Sequence, residues 1–303
     1  MLRLSIIVCT FNRETYIEKT LDYLSQQTSN LQDYEVLIID NNSTDNTASI
    51  CKNFVSTTGH NQFHYFLEKN QGHTYARNRG IRESKGDYIA FLDDDAWVNG
   101  NYCDEIITYF DSNPVVMAIG GKITPVYESK QPGWMSKYLW PLVAGLDMGD
   151  RVKEFKHSKY PIGANMAFRA MVFEDYGYFN TGLGRRGKEL EGVDEKDMVY
   201  RLKRDGKKVH YVPLIHVRHV IPDSRIHLSY IKGQAIGVGT SEKKRLLREE
   251  IFVKIKKTFE EIVKIGATCV LALYYLLTFR PEKGIMLIKF RAWVILGYFS
   301  NIK

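Results

Sequence analysis

Hydrophobic and polar positions along the first hundred residues fall into blocks that switch period. Leu4-Ser5-Ile6-Ile7-Val8 is a short β-branched run, as expected of a strand buried on both faces. After a polar turn, Ile17, Leu21 and Leu24 recur at helical spacing, which places them on one helix face. Val36-Leu37-Ile38-Ile39 reads as a second strand ending in Asp40-Asn41-Asn42-Ser43, where Ser43 or Thr44 is placed to cap a helix running toward Phe54. Phe63 to Leu67 is a third strand, Thr74 to Ser84 a helix closed by Lys85-Gly86, and Tyr88 to Leu92 a fourth strand leading into Asp93-Asp94-Asp95. This alternation predicts an α/β fold with a mostly parallel sheet wrapped by helices. Ligands of such sheets bind outside the carboxyl ends of the strands. Thr10-Phe11-Asn12, Asp40-Asn41-Asn42 and Asp93-Asp94-Asp95 all fall at those ends, so the three clusters should share one rim.

The pattern loosens between residues 120 and 190, which are rich in Gly, Trp and Tyr. Asp194 to Arg204 reads as a helix, and Lys208 to Val212 as a strand ended by Pro213. After about residue 240 a basic helical stretch opens at Lys243-Lys244-Arg245 and carries Leu246, Leu247, Ile251, Phe252, Ile255 and Phe259. Gly266 to Phe279 is uncharged, Arg280-Pro281-Glu282-Lys283 breaks it, and Gly284 to Phe299 is apolar apart from Lys289 and Arg291. Both apolar runs are shorter than the roughly 20 residues that span a bilayer. They suit an interfacial helical hairpin, or a pair of core helices packed on the body. The expected division is a body at 1–240 and a basic, apolar helical segment at 241–303.

Charge sharpens that division. The net charge is +7, and residues 241–303 hold 13 Lys and Arg against 6 Asp and Glu, so the whole surplus lies there. A balanced body argues against nucleic-acid binding, and a basic tail beside apolar runs points to an anionic membrane surface. A hydrophobic share of 44% in 303 residues supports a sizeable core. Cys9, Cys51, Cys103 and Cys269 are widely spaced with no C-x-x-C pair, so reduced thiols are expected rather than disulfides or zinc. The apolar run Leu4 to Val8 is too short for a signal h-region, which places the body in the cytosol.

Adjacent carboxylates at Asp93-Asp94-Asp95 repel unless something positive intervenes. A hard divalent cation such as Mg²⁺ or Mn²⁺ does so, using one or two carboxylates and leaving positions for phosphate. The other reading is a solvated acidic turn. Four segments in order and in register bear on this: Leu4 to Arg13, Val36 to Asp45, Ala76-Arg77-Asn78-Arg79-Gly80-Ile81, and Gly86 to Asp95. Together they closely resemble the family 2 glycosyltransferases of the GT-A fold, over about residues 3–230.

The resemblance implies an inverting, metal-dependent transfer of sugar from a nucleotide-sugar donor to an acceptor hydroxyl, in surface polysaccharide or glycolipid synthesis. Asp40 matches the base-binding aspartate, favouring a UDP-linked donor. Thr10, Phe11 and Asn12 line the same rim, Asn78 lies in the third motif, Asp94 matches a ribose contact, and Asp95 matches the ligand of Mn²⁺ or Mg²⁺, with Asp93 supporting. Asp45 is either part of this rim or a helix-start residue. Asp194-Glu195-Lys196-Asp197 stands where the family carries its second acidic motif, in swapped order, so the general base is either Glu195 or Asp194; helix N-terminal carboxylates meeting the macrodipole are the alternative. His219, six residues beyond Pro213, matches a histidine that completes the metal site in some members; His216 would point the other way on an extended segment. Pro161 to Arg169 resembles a segment beside the donor sugar, which assigns Asn165 to a sugar or acceptor hydroxyl. Gly184-Arg185-Arg186-Gly187 suits a diphosphate or phosphorylated acceptor. Trp134, Tyr138 and Trp140 form either a sugar-stacking wall or core. The expected partners are a saccharide or lipid-linked acceptor and an anionic membrane, with peripheral attachment on the cytoplasmic face. The rivals are a nucleotidyltransferase, which needs no second acidic cluster, and a non-catalytic binding module, which would not need to keep either.

Overall fold

The computed structural model describes residues 2–57, 61–183, 194–247 and 251–300. The chain forms two compact units, Met1–Thr124 with Ala144–Val220, and Pro125–Val143 with Ile221–Lys303.

The first unit is built on β1 (Leu4–Thr10), α1 (Ile17–Ser25), β2 (Tyr34–Asp40), α2 (Thr47–Thr57), β3 (Phe63–Leu67), α3 (His73–Glu83), β4 (Tyr88–Asp93), β5 (Ala96–Val98), α4 (Tyr102–Ser112), β6 (Val116–Tyr127), β7 (Lys153–Glu154), β8 (Asn165–Arg169), α5 (Met171–Tyr176), α6 (Asp194–Arg204) and β9 (Lys208–Ile221). Among the described residues the strands make one sheet in the order β3-β2-β1-β4-β8-β6-β9-β5, with β7 also on β9. β3, β2, β1 and β4 run parallel, while β8 is antiparallel to β4 and β6 to β8.

Alternation along the strands separates two apolar layers. Leu4, Ile6 and Val8 pack with Leu21, Leu24, Ile106 and Phe110 on one face. Ile7, Leu37 and Phe91 pack with Ala76, Phe173, Met198 and Leu202 on the other. The register pairs Thr10 with Asp40 and Cys9 with Asp93, so the ends of β1, β2 and β4 lie side by side at one rim.

The expected strand over Lys208 to Val212 runs on through Pro213 to Ile221. β7 pairs with His210 and Tyr211, and β5 with Val217 to His219. Pro213 falls between those two ladders, where its missing N–H removes no bond to either strand.

The second unit contains 3-10 turns at Lys137–Val143 and Asp223–Arg225 and three helices, α7 (Leu228–Leu247), α8 (Ile251–Leu277) and α9 (Pro281–Phe299). A boundary at residue 240 therefore falls inside α7. α8 passes through Gly266 without a break, joining the basic stretch to the uncharged run; a mid-helix glycine costs only about 1 kcal/mol. Pro281 occupies the first turn of α9, where its missing N–H has no helical partner to lose. α7 and α9 approach closely: a Cβ on Gly239 would lie 2.0 Å from the Val294 carbonyl oxygen. Trp134 and Trp140 pack on a core of Met135, Leu139, Ile231, Tyr275 and Leu287, whereas Tyr138 is exposed. Ile255, Phe259, Val270, Leu277, Ile288 and Phe299 are exposed on α8 and α9. No helix among the described residues is long and apolar enough to cross a membrane. All four cysteines are unbonded; Cys51 and Cys103 are buried and Cys269 is exposed.

Candidate active site

Two loops meet at the ends of β1 and β2, and short polar side chains stitch them together. Asn12 and Asn42 both take positive φ, 52° and 64°, a region that asparagine tolerates better than most residues. The Asn12 amide nitrogen donates to Thr44 Oγ1, and its carbonyl accepts from the Thr44 N–H at 2.8 Å. The N–H of Arg13 donates to Thr47 Oγ1, and the N–H of Glu14 to Asp45 Oδ2. Asn12 thus braces the loop while remaining exposed. Asp45 also accepts from the Thr47 N–H, which makes it a helix-start residue tied to the opposite loop. Asp40 is buried; its carboxylate accepts from the Ser43 N–H at 2.9 Å and from the Tyr65 hydroxyl at 2.7 Å. Thr10 is buried beside it in register, and Phe11 projects with 42% of its surface exposed.

The acidic run lies where β4 turns directly into β5. Ala96 pairs with His219 of β9, which brings the imidazole to the carboxylates. His219 Nε2 lies 2.8 Å from Asp95 Oδ1 and 3.6 Å from Asp93 Oδ2. Arg13 reaches Asp94 at 3.4 Å and Asp95 at 3.5 Å. Burial works against charge on His219, but the two carboxylates outweigh it and push the imidazole up to about 9. Burial likewise acts to raise Asp93, yet His219 holds it below the usual carboxylate range. Asp94 is pushed up to about 7 by burial, with Arg13 opposing. His216 faces away and meets Thr124 Oγ1 at 2.9 Å.

One ligand atom from each of Asp93, Asp95 and His219 lies within 4.8 Å of the other two. His219 is wholly buried, and its Nδ1 has no hydrogen-bond partner among the described residues. Two carboxylates and an imidazole are a donor set that fits Mn²⁺ or Mg²⁺.

The second acidic cluster opens α6. Arg77 of α3, 1% exposed, lies between Asp194 Oδ2 at 2.5 Å and Glu195 Oε1 at 3.1 Å. Burial raises the Glu195 carboxyl, Arg77 opposes, and Asp194 reinforces, leaving it above its ordinary value. Gly163 is what lets this group close. A Cβ there would sit 2.0 Å from Arg77 Nη2 and 2.3 Å from Glu195 Oε1.

Two residues expected at the ligand are engaged within the fold. Asn165 is wholly buried, and its amide is occupied by Tyr102, Lys122 and Ile215; it braces strands. Asn78 exchanges two hydrogen bonds with the backbone of Phe179, at 2.8 and 3.0 Å, and so fixes a loop. The segment Gly184 to Gly187 lies outside the described residues. Arg77, Arg13 and Tyr65 were not picked out from sequence. Arg77 lies inside the third motif between Ala76 and Asn78, all three of which are buried in α3, and a buried cation needs a buried partner.

Known proteins resemble this chain in sequence and in fold. The glycosyl transferase family 2 model matches residues 5–177. A glucosyl-dolichyl phosphate glucuronosyltransferase of Haloferax volcanii is 23% identical over 80% of this chain and 77% of its own. The putative glycosyltransferase EpsH of Bacillus subtilis is 28% identical over 75% of this chain, which spans 62% of EpsH. Among solved structures, the mannosyltransferase PcManGT of Pyrobaculum calidifontis, in complex with GDP-Man and Mn²⁺, has a TM-score of 0.65 at 17% identity, covering 97% of this chain and 87% of its own. TarS of S. aureus with UDP-GlcNAc has a TM-score of 0.56 at 16% identity, covering 98% and 89%. The sheet with its flanking helices is that of the GT-A fold, and with the family model matched over more than half its length, the chain belongs to glycosyl transferase family 2 and is a glycosyltransferase.

Proposed function

We propose that this enzyme transfers a sugar from a UDP-linked donor to an acceptor hydroxyl, with inversion at the anomeric carbon, at the cytoplasmic surface of a membrane. One observation carries the reading: a metal-binding group and a separate carboxylate pair coexist in a single sheet unit. Asp40 accepts from a pyrimidine ring N–H, Phe11 lies against the base, and Thr10 and Asp94 line the ribose side. Asp95 and His219, with Asp93, would hold Mn²⁺ or Mg²⁺. Such an ion, when bound, offsets the charge that collects on the departing diphosphate. The carboxylate pair at Asp194 and Glu195 takes the acceptor proton as the new C–O bond forms and the bond to diphosphate breaks. No covalent sugar–enzyme intermediate is needed.

The acceptor is read as lipid-linked. The α8 and α9 residues Phe259, Val270, Leu277 and Phe299 are exposed, and the positive surplus lies in residues 241–303. An apolar surface with nearby cations suits peripheral attachment to anionic lipid. Two relatives carry names of matching kind: the dolichyl phosphate enzyme above, and a Campylobacter jejuni GalNAc(5)-diNAcBac-PP-undecaprenol glucosyltransferase, 37% identical over 31% of this chain.

The test is a panel of UDP- and GDP-sugars incubated with the enzyme and Mn²⁺ or Mg²⁺. Release of UDP from at least one donor, abolished by chelator, is expected. Release of GDP alone would overturn the base assignment. Pyrophosphate formation from a nucleoside triphosphate and a sugar phosphate would overturn the reaction class.

A further inference from the structure

The carboxylates at the start of α6 are unequal. Asp194 is 1% exposed and makes the shorter contact to Arg77, 2.5 Å from Nη1. Glu195 keeps 15% of its side chain exposed and lies 3.1 Å from Nη2. A planar guanidinium offers donors in a rigid fork, so Arg77 fixes the spacing of the two carboxylates as well as their charge. Its own position is held by the Phe91 and Phe179 rings, 5.7 and 5.5 Å from the guanidinium carbon. Gly163 supplies backbone where any side chain would part the contact.

Resting on the glycosyl-transfer reading above, we propose that Arg77 is the positioning residue of the proton acceptor: it holds Asp194 as a permanent buried counter-ion and leaves Glu195 as the carboxylate that takes the acceptor proton. One cation between two anions neutralises one of them. The residual negative charge then resides on the partly exposed member, which is the member a substrate hydroxyl reaches. The groups acting on Glu195 are Arg77 and His73 from α3, which lower its proton affinity, and Asp194 from α6, which raises it. Arg77 also feels Asp93 of β4 and Cys9 of β1. Removing the arginine charge should therefore raise the affinity of Glu195 for a proton, and removing the Asp194 charge should lower it.

The experiment is the pH profile of kcat/KM for the full chain with Mn²⁺, using the fastest donor of the UDP- and GDP-sugar panel. Arg77→Gln is expected to move the acid limb up by about one pH unit, a tenfold rate loss below the limb. Asp194→Asn, nearly isosteric, is expected to move it down by a similar amount. Arg77→Lys restores the charge without the fork, so the limb returns toward wild type while kcat stays about tenfold low. UDP affinity by calorimetry should stay within about threefold in all three. A merely structural role lowers kcat without moving the limbs in opposite directions. Limbs that coincide with wild type, or move together, overturn the proposal. If Arg77→Gln does not fold, the sign of the Asp194→Asn shift still decides it. A wild-type chain that turns over no donor overturns the transfer reading instead.

Discussion

Asn165 gives the sharpest test of whether the structure, rather than the motif, assigns its role. Its side chain is fully buried at the start of β8. The amide oxygen accepts from the Tyr102 hydroxyl of α4 at 3.1 Å, and the amide nitrogen donates to the carbonyls of Lys122 in β6, at 3.1 Å, and Ile215 in β9, at 2.8 Å. One side chain therefore ties four elements. Asn165→Leu conserves the volume and deletes all three bonds, leaving two backbone carbonyls and a hydroxyl buried without that partner. At about 1–2 kcal/mol for each such loss, the unit should be destabilised by about 3–6 kcal/mol. With a urea slope of about 2 kcal/mol/M, the midpoint should fall by about 2 M. Urea unfolding followed by circular dichroism measures the shift, and calorimetry at low temperature measures UDP binding by the folded fraction, which should match wild type. A variant with an unchanged midpoint and at least tenfold weaker donor binding would refute the bracing argument and return Asn165 to the donor site.

The remaining predictions concern the site and the helical unit. Mn²⁺ is expected to raise the melting temperature of the wild type, and Asp95→Asn should remove that rise and reduce Mn²⁺-stimulated donor turnover by at least about 100-fold; full turnover in chelator would sink the metal assignment. In metal-free protein, His219 has a folded value near 9 against its ordinary 6.5. Its contribution to stability is thus full below about pH 6.5 and is lost as the pH rises through about 9. His219→Gln should flatten that part of a melting-temperature profile, and an unaltered profile would contradict the pairing. Gly163→Ala must displace Arg77 or Glu195, since the new Cβ would lie 2.0 and 2.3 Å from them; about 10²-fold loss of transfer is expected with UDP affinity retained, whereas normal turnover would show that the contact is dispensable. The full chain should co-sediment with anionic liposomes at low salt, less so as salt rises, and Phe259→Asp with Leu277→Asp should abolish it; equal binding to neutral vesicles would argue against the electrostatic part.

Local pattern was enough to place the parallel half of the sheet. β1, β2 and β3 are neighbours both in sequence and in space, β4 crosses back to pair with β1, and the rule that such sheets bind ligands at strand ends places Thr10, Asp40 and Asp93 together from the sequence alone. The last of the four motifs likewise marked Asp95, and the second acidic cluster and the stretch after Pro213 marked Glu195 and His219, because each chemistry-bearing residue sits in a short, recognisable segment. What the sequence could not decide depends on groups distant along the chain. Asn165 and Asn78 look like exposed motif amides until long-range pairing buries one against Lys122 and Ile215 and clasps the other to Phe179. Arg77 becomes part of the site only because packing brings α3 against a helix that begins 117 residues later. The swapped order of Asp194 and Glu195 leaves the two equivalent on paper. Tertiary burial makes them different: desolvation and a single shared guanidinium act on each carboxylate according to depth, a quantity that only the folded chain defines.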